Sequence, residues 1–277
     1  MNLKDSPIPQ ELIESYLNLL GLQREEPSID ALSELVRAHL FRVPFENISK
    51  LYYKKHHNMR HLPSLEFFLK GIDKYHFGGT CYSNNYYFYQ LLAHLGYQVK
   101  LCGADMTNPD VHLVSIVTLD QREYLVDVGY AAPFWNPLPR DLTTEYEIEL
   151  GRDSYVLKPQ DAHGCSSLEM HRDGIHKHGY TVKPIPKQIG DFEQVISDSY
   201  RDTATFMNAL LLVRFFPNRS IAIHNMTLIE SQGTESKIRT LSNCDELIEA
   251  IVEYFEIPEK ITLKGVKDLR LNGDAWN

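Results

Sequence analysis

Near Tyr97 the apolar residues of this chain change their spacing, and that change limits the folds open to it. Before Tyr97 they recur every three or four positions, the period of helices that bury one face. Leu12, Ile13, Tyr16, Leu17 and Leu20 share such a face, and Gly21 supplies a stop. Ser28 is placed to cap a second helix that carries Leu32, Leu35, Val36, His39 and Leu40. Residues 64–72 read as a third, short helix. Phe88, Leu91, Leu92 and Leu95 mark a fourth, which Gly96 can end. Pro44 closes the second helix, and the Glu46-Asn47 pair that follows reads equally well as a turn-capping network and as a functional pair. The basic stretch 52–61, with Lys54, Lys55, His56, His57 and Arg60, reads as a solvated loop.

After Tyr97 the period is two. Residues 98–102, 111–119, 123–128, 146–150, 154–158 and 178–182 read as short strands, the pattern of a sandwich or barrel. From about Arg201, strands at 209–216, 220–224 and 226–230 accompany one clear helix. Ser242 or Asn243 caps it, and Leu247, Ile248, Ile251, Tyr254 and Phe255 line its buried face. The expectation is an α+β protein in three parts: a helical part over 1–95, a strand-rich part over 96–200 and an α/β part over 201–277.

Composition narrows what such a chain does. Its 277 residues suffice for a substantial core. A formal charge of −9 argues against a general nucleic-acid binder, which needs a basic face, though not against a local basic cleft. The first residues, Met1 to Pro7, hold no apolar signal core, and no apolar run reaches membrane-spanning length. Cys81, Cys102, Cys165 and Cys244 lie far apart without C-x-x-C spacing, so neither a zinc ribbon nor a disulfide framework is expected, and a reducing cytoplasm fits best. His171, His176 and His178 flank an Asp173-Gly174 turn. They read as surface histidines of a hairpin in preference to a metal site, and Cys165 reads as structural.

The chemistry gathers on three residues. Phe77-Gly78-Gly79-Thr80-Cys81 opens the fourth helix and puts Cys81 in its first turn. Free backbone N–H groups and the positive end of the dipole favour an anionic sulfur there. The two glycines let a second chain or a substrate approach closely. Alone, such a cysteine is more often a small buried hydrophobe. Asp127, however, sits inside Tyr124-Leu125-Val126-Asp127-Val128, where a carboxylate is costly unless something donates to it. If Asp120-Gln121 forms a two-residue turn, Leu119 faces Arg122, and Val114 then lies opposite Asp127. His112 becomes a diagonal neighbour of Asp127 on the same face, whereas an odd loop would separate them. A cysteine activated by a His–Asp pair follows, with His112 as base, Asp127 as orienting group and the backbone N–H of Cys81 as an oxyanion donor.

These residues resemble the arylamine N-acetyltransferase family. Its hallmarks stand here in order: Val43-Pro44-Phe45-Glu46-Asn47, the segment from Phe77 to Asn85, His112 with Leu113 and Val114, and the segment from Tyr124 to Tyr130 followed by Pro133, Pro137 and Pro139. The resemblance implies a helical bundle, a central antiparallel β-barrel and a C-terminal α/β lid, with a papain-like catalytic triad of Cys81, His112 and Asp127. It implies acetyl-CoA as cosubstrate, no metal, and an arylamine, hydrazine or hydroxylamine acceptor taking the acetyl group from a Cys81 thioester. Phe45 and Tyr130 are the expected walls of the acceptor pocket, the CoA contacts stay unassigned, and neither nucleic acid nor membrane is an expected partner. Two positions depart from the pattern: Phe77 stands for the usual Arg and Ser83 for the usual Glu, which reads as a coupled change. Tyr130 replaces the usual Phe. A Cys-His-Asp hydrolase or transglutaminase-like enzyme, and a non-catalytic binding module on the same fold, remain open alternatives.

Overall fold

The computed structural model describes residues 8–267 together with Leu269, Leu271 and residues 273–275. The Met1 to Pro7 segment read above lies outside the described residues. Four of the five N-terminal helices form where the apolar period placed them, and the third in chain order is an addition. They are α1 (Gln10–Leu20), α2 (Ile29–Arg42), then, after the two-residue strand β1 (Phe45–Glu46), α3 (Ile48–His57), α4 (Leu65–Tyr75) and α5 (Cys81–Leu95). Ser28 Oγ accepts from the Ala31 amide and Ser64 Oγ from the Phe67 amide, while Gly21 and Gly96 end α1 and α5 in the left-handed region.

Helix α3 corrects the solvated loop expected over 52–61. Its inner face holds Ile48, Lys50, Tyr52 and Tyr53, all buried. The charge run that suggested solvent is partly neutralised from far along the chain: Lys54 Nζ pairs with Asp202 Oδ1 at 2.7 Å and donates to Tyr200 O at 2.6 Å.

The strands after Tyr97 build one antiparallel sheet of β2 (Gln98–Asp105), β3 (His112–Leu119), β4 (Arg122–Val126), β5 (Leu138–Pro139), β6 (Tyr146–Leu150), β7 (Asp153–Leu157), β8 (Ser166–Arg172) and β9 (Ile175–Pro186). Their order is β5-β4-β3-β2-β9-β8-β7-β6, so the expected barrel is a curled half-barrel. Strand β8 went unread in the sequence, and the segment expected at 178–182 extends into the long β9, which bridges β8 and β2. The β3–β4 hairpin turns on Asp120 and Gln121 with φ of 49° and 65°. That is the turn type whose twist suits a two-residue hairpin, and it fixes Leu119 opposite Arg122.

Two short helices, α6 (Glu193–Asp198) and α7 (Thr205–Asn208), lead to a second sheet of β10 (Leu211–Phe216), β11 (Arg219–His224), β12 (Thr227–Gln232) and β13 (Glu235–Thr240). Helix α8 (Cys244–Phe255), capped by Asn243, and α9 (Glu259–Val266) follow; β13 and α9 were not anticipated. The second sheet is not a detached layer. Strand β1 joins its edge, with Phe45 opposite Val213 and Glu46 opposite Leu212, and one apolar cluster mixes α3 (Ile48, Tyr52, Tyr53) with β10, β11 and α8. Asn47 pins the junction by donating to Phe206 O and Ala209 O and accepting from the Leu211 amide. Among the described residues no helix is long and apolar enough to cross a membrane.

Candidate active site

Helix α5 lies across β2 and β3, and its first residue carries the sulfur. The approach is close enough to dictate sequence. A Cβ on Gly129 would stand 2.8 Å from Cys81 Cα and 2.7 Å from Asn85 Nδ2, and one on Gly78 would stand 1.7 Å from Pro44 O. Larger residues at either position would push Cys81 away from the sheet.

His112 and Asp127 meet as the hairpin register requires. Nε2 of His112 donates to Asp127 Oδ2 at 2.8 Å, both residues are nearly inaccessible, and the Cys81 side chain is close enough to act on the ring. With Nε2 taken by the carboxylate, Nδ1 is the nitrogen left for the thiol. Burial by itself would pull the imidazole down, but the Asp127 charge, the Asp127 hydrogen bond and the Cys81 side chain raise it to about 10. Burial would push Asp127 up; the His112 charge and hydrogen bond, with further donors from Asn85 and the Gly129 amide, hold it below its ordinary value.

Asn85 is the residue that sequence reasoning quoted without giving a role. Its Nδ2 donates to Asp127 Oδ1 at 2.8 Å and to Leu113 O at 2.7 Å, and its Oδ1 accepts from the Val128 amide at 2.8 Å. It stands four positions after Cys81, on the same side of α5, so it ties the sulfur-bearing helix to β3 and to the segment after β4 that carries Asp127. The readable signal was a buried amide one turn beyond the cysteine. Tyr82 adds a second tie, its hydroxyl donating to Val111 O at 2.9 Å.

Cys81 and His112 open onto a cleft of about 700 Å³ between the curled sheet and the second sheet, with Asp127 behind the ring. Phe45 and Tyr130, the expected walls, both line it. Phe45 packs against Phe206 with ring centroids 5.6 Å apart, and Tyr130 stands 5.6 Å from the His112 ring. His178 departs from the surface position expected for it. It lines the cleft, shares a hydrogen bond of 2.6 Å between Nδ1 and the Tyr130 hydroxyl, and is pulled down to about 4 by burial. His171 and His176 do stay together near the hairpin end, with rings 5.4 Å apart.

Behind the loop that leads to Cys81 the two departures from the family pattern sit apart from the sulfur. Phe77 is buried among Tyr52, Tyr53 and Tyr75, and Ser83 Oγ donates to Thr80 O at 3.1 Å. Glu46 accepts from the Ser49 amide at 2.8 Å and the Gly78 amide at 3.1 Å, and its burial pushes its carboxyl up. A cavity of about 30 Å³ remains there, lined by Phe77, Ser83 and Lys50 among others. Among the described residues no cluster of His, Cys, Asp and Glu is arranged to hold a metal ion.

A half-buried thiol beside a buried His–Asp pair, at the foot of a cleft, is an arrangement suited to transfer or hydrolysis through a cysteine. The family model for N-acetyltransferase matches residues 28–263, and the chain belongs to the arylamine N-acetyltransferase family, whose members are acyltransferases. Its relatives include proansamycin X synthase from Amycolatopsis mediterranei (strain S699), 26% identical over 251 residues that cover 84% of this chain and 93% of that protein. Arylamine N-acetyltransferase 1 from Homo sapiens is 24% identical over 212 residues, covering 66% of this chain and 70% of that one. Among solved structures, the arylamine N-acetyltransferase of Nocardia farcinica superposes with a TM-score of 0.77 at 26% identity, covering 94% of both chains. That of Mycobacterium marinum in complex with CoA shares the fold, with a TM-score of 0.76 at 20% identity over 93% of this chain and 99% of that one. Membership decides for acetyl transfer over the hydrolase and binding-module alternatives.

Proposed function

We propose that acetyl-CoA acylates Cys81 and that an aromatic amine, hydrazine or hydroxylamine then takes the acetyl group. The observation that carries this reading is the placing of Cys81 beside the hydrogen-bonded His112–Asp127 pair at the foot of the cleft. The sulfur gives its proton to Nδ1 of His112 and attacks the thioester carbonyl. The first-turn N–H of Cys81 stabilises the resulting oxyanion. When the carbon–sulfur bond to CoA breaks, the imidazolium returns its proton and CoA leaves as the thiol.

Acylation also resets the base. Two of the influences that raise His112, the hydrogen bond and the charge of Cys81, are lost once the sulfur is acylated. The ring, already neutral once CoA has left with its proton, therefore stays neutral until the acceptor arrives. It takes the amine proton as nitrogen attacks, and the Cys81 thiolate departs. Phe45 and Tyr130 supply walls that favour an aromatic acceptor over water.

CoA binding by a structural relative supports a CoA arm in the same cleft, with the part over 201–277 acting as a lid on the parts over 1–95 and 96–200. The four unpaired cysteines support a reducing, cytoplasmic setting. The deciding experiment is mass spectrometry of the intact protein after acetyl-CoA treatment, with peptide mapping. One acetyl group on Cys81, removed by an arylamine, is the expected outcome. An unmodified Cys81, or acetylation only at Cys102, Cys165 or Cys244, overturns the reading.

A further inference from the structure

Lys50 is a cation in an unusual place. It lies on the inner face of α3, is 5% exposed, and lines the same cleft as Cys81, Phe45 and Phe206. Its ammonium donates to Ser199 Oγ at 2.7 Å and stands 4.3 Å above the Tyr200 ring, and both of these partners are uncharged. Ser199 already donates its own proton to Ile196 O at 2.6 Å, so it can only accept from Lys50. The other formal charges on the cleft wall are matched. Arg172 holds Asp153 through two bonds of 2.6 and 2.7 Å, and Asp198 pairs with Arg201 at 2.6 Å. Lys54, one turn along α3, has Asp202. Glu46 is engaged by the Ser49 and Gly78 amides.

A buried ammonium without a counter-ion is costly, and a lysine costs more there than an apolar residue of its size. Burial pulls Lys50 down to about 8, which leaves it protonated at neutral pH, and the charge of a Cys81 thiolate pulls the other way. That thiolate is one anion available to it. It disappears when the sulfur is acylated, just when the acceptor must bind. A carboxylate on the acceptor would replace it, in a low-dielectric corner where a charge-assisted hydrogen bond is strong.

We propose that Lys50 is an anion subsite for the acceptor, selecting aromatic amines that carry a ring carboxylate. The inference rests on acetyl transfer through Cys81. Ring and carboxylate have separate places: the aromatic body lies against Phe45 and Phe206, and the carboxylate meets the ammonium of Lys50.

The test compares 2-, 3- and 4-aminobenzoate with the matching aminobenzamides in acetyl-CoA assays of wild type, Lys50→Met and Lys50→Arg. Lys50→Met should lower kcat/KM for the favoured aminobenzoate by about tenfold more than for the matching amide, and Lys50→Arg should keep most of the preference. An equal fall in both series would place Lys50 on the thiolate and overturn the subsite, and so would no change in either. Succinyl-CoA against butyryl-CoA is the donor arm. A selective loss of succinyl transfer, with aminobenzoates unaffected, would assign the ammonium to the acyl group and overturn the acceptor assignment. A wild-type arm needs no variant: benzoate should inhibit competitively with the acceptor at about a tenth of the benzamide concentration, and equal inhibition rejects the subsite. Acetylation of Cys81 is followed by mass on the same samples. If it fails while benzoate still outcompetes benzamide for binding, the transfer mechanism falls and the anion subsite stands.

Discussion

The two sides of the nucleophile loop are built to different standards. In front, toward the curled sheet, the polar groups of the Cys81 site are matched: Asp127 receives His112, Asn85 and the Gly129 amide, and Asn85 is engaged at both ends of its amide. Behind, toward α3, Glu46 is held by Ser49 and by the Gly78 amide, Lys50 donates to the uncharged Ser199, and Lys50, Phe77 and Ser83 line a small cavity. The front holds a geometry that chemistry needs to a fraction of an ångström, so its network is over-determined. The back holds the loop from behind, where packing can replace charge. Four aromatic rings occupy the place at which the family pattern puts an arginine.

The most severe way to break this contrast is to damage the front. Asp127→Asn keeps the shape of the site but favours the wrong imidazole tautomer, so the acylation rate of Cys81 should fall by about 10³- to 10⁴-fold in a folded protein. The variant should also lose pH-dependent stability. His112 is raised above its unfolded value, so its contribution is full below the ordinary imidazole value of about 6.5 and is lost as pH rises through about 10. Asp127 is held low, so its contribution is present above the ordinary carboxylate value and is lost as pH falls through its folded one. Thermal melts should show the full gap between wild type and variant from about pH 5 to 6.5, shrinking as pH rises toward about 10 and again as it falls through the folded value of Asp127. Near-normal acylation by the variant would remove Asp127 from the catalytic set.

The back should answer differently, through stability more than rate. Phe77→Arg puts a guanidinium among Tyr52, Tyr53 and Tyr75 and should cost about 3 kcal/mol. Adding Ser83→Glu should recover part of that, with a coupling of about 1 kcal/mol or more. Urea melts of both single variants and the double decide it. Strict additivity would show that positions 77 and 83 do not communicate.

What the sequence disclosed follows the same division. Asp127 was conspicuous because a carboxylate inside an apolar strand needs a donor, and His112 was reachable because a two-residue turn fixes register over the whole hairpin. Both are local inferences. The α+β order of helices and strands was legible for the same reason. Helix α3 was missed because its charges are balanced by Asp202, about 150 positions away in the chain, which no local pattern reveals. His178 was misplaced because its position depends on where β9 runs and on the register shift in β8 between Met170 and His171. Lys50 carried no signal at all. A lysine next to a basic stretch reads as solvent-facing until the second sheet closes over it.

The smallest expected effect concerns the wall where the two sides meet the substrate. Tyr130→Phe removes only the hydroxyl that shares a hydrogen bond of 2.6 Å with His178 Nδ1. The Nε2 of the same ring is buried without a partner among the described residues, so the variant leaves the imidazole with no hydrogen bond there. The cost should be about 1 kcal/mol, which for a protein of this size lowers the melting temperature by about 2 °C. The ring itself stays 5.6 Å from His112, and Asp127 continues to hold the base. Acylation of Cys81 by acetyl-CoA should therefore stay within about twofold of wild type, whereas KM for an aromatic acceptor should move by about threefold as His178 becomes free to bind it. If acylation instead falls about tenfold, Tyr130 acts on His112 and belongs to the over-determined front. If neither quantity moves, the hydroxyl serves only to satisfy His178, and the wall recognises acceptors by shape alone.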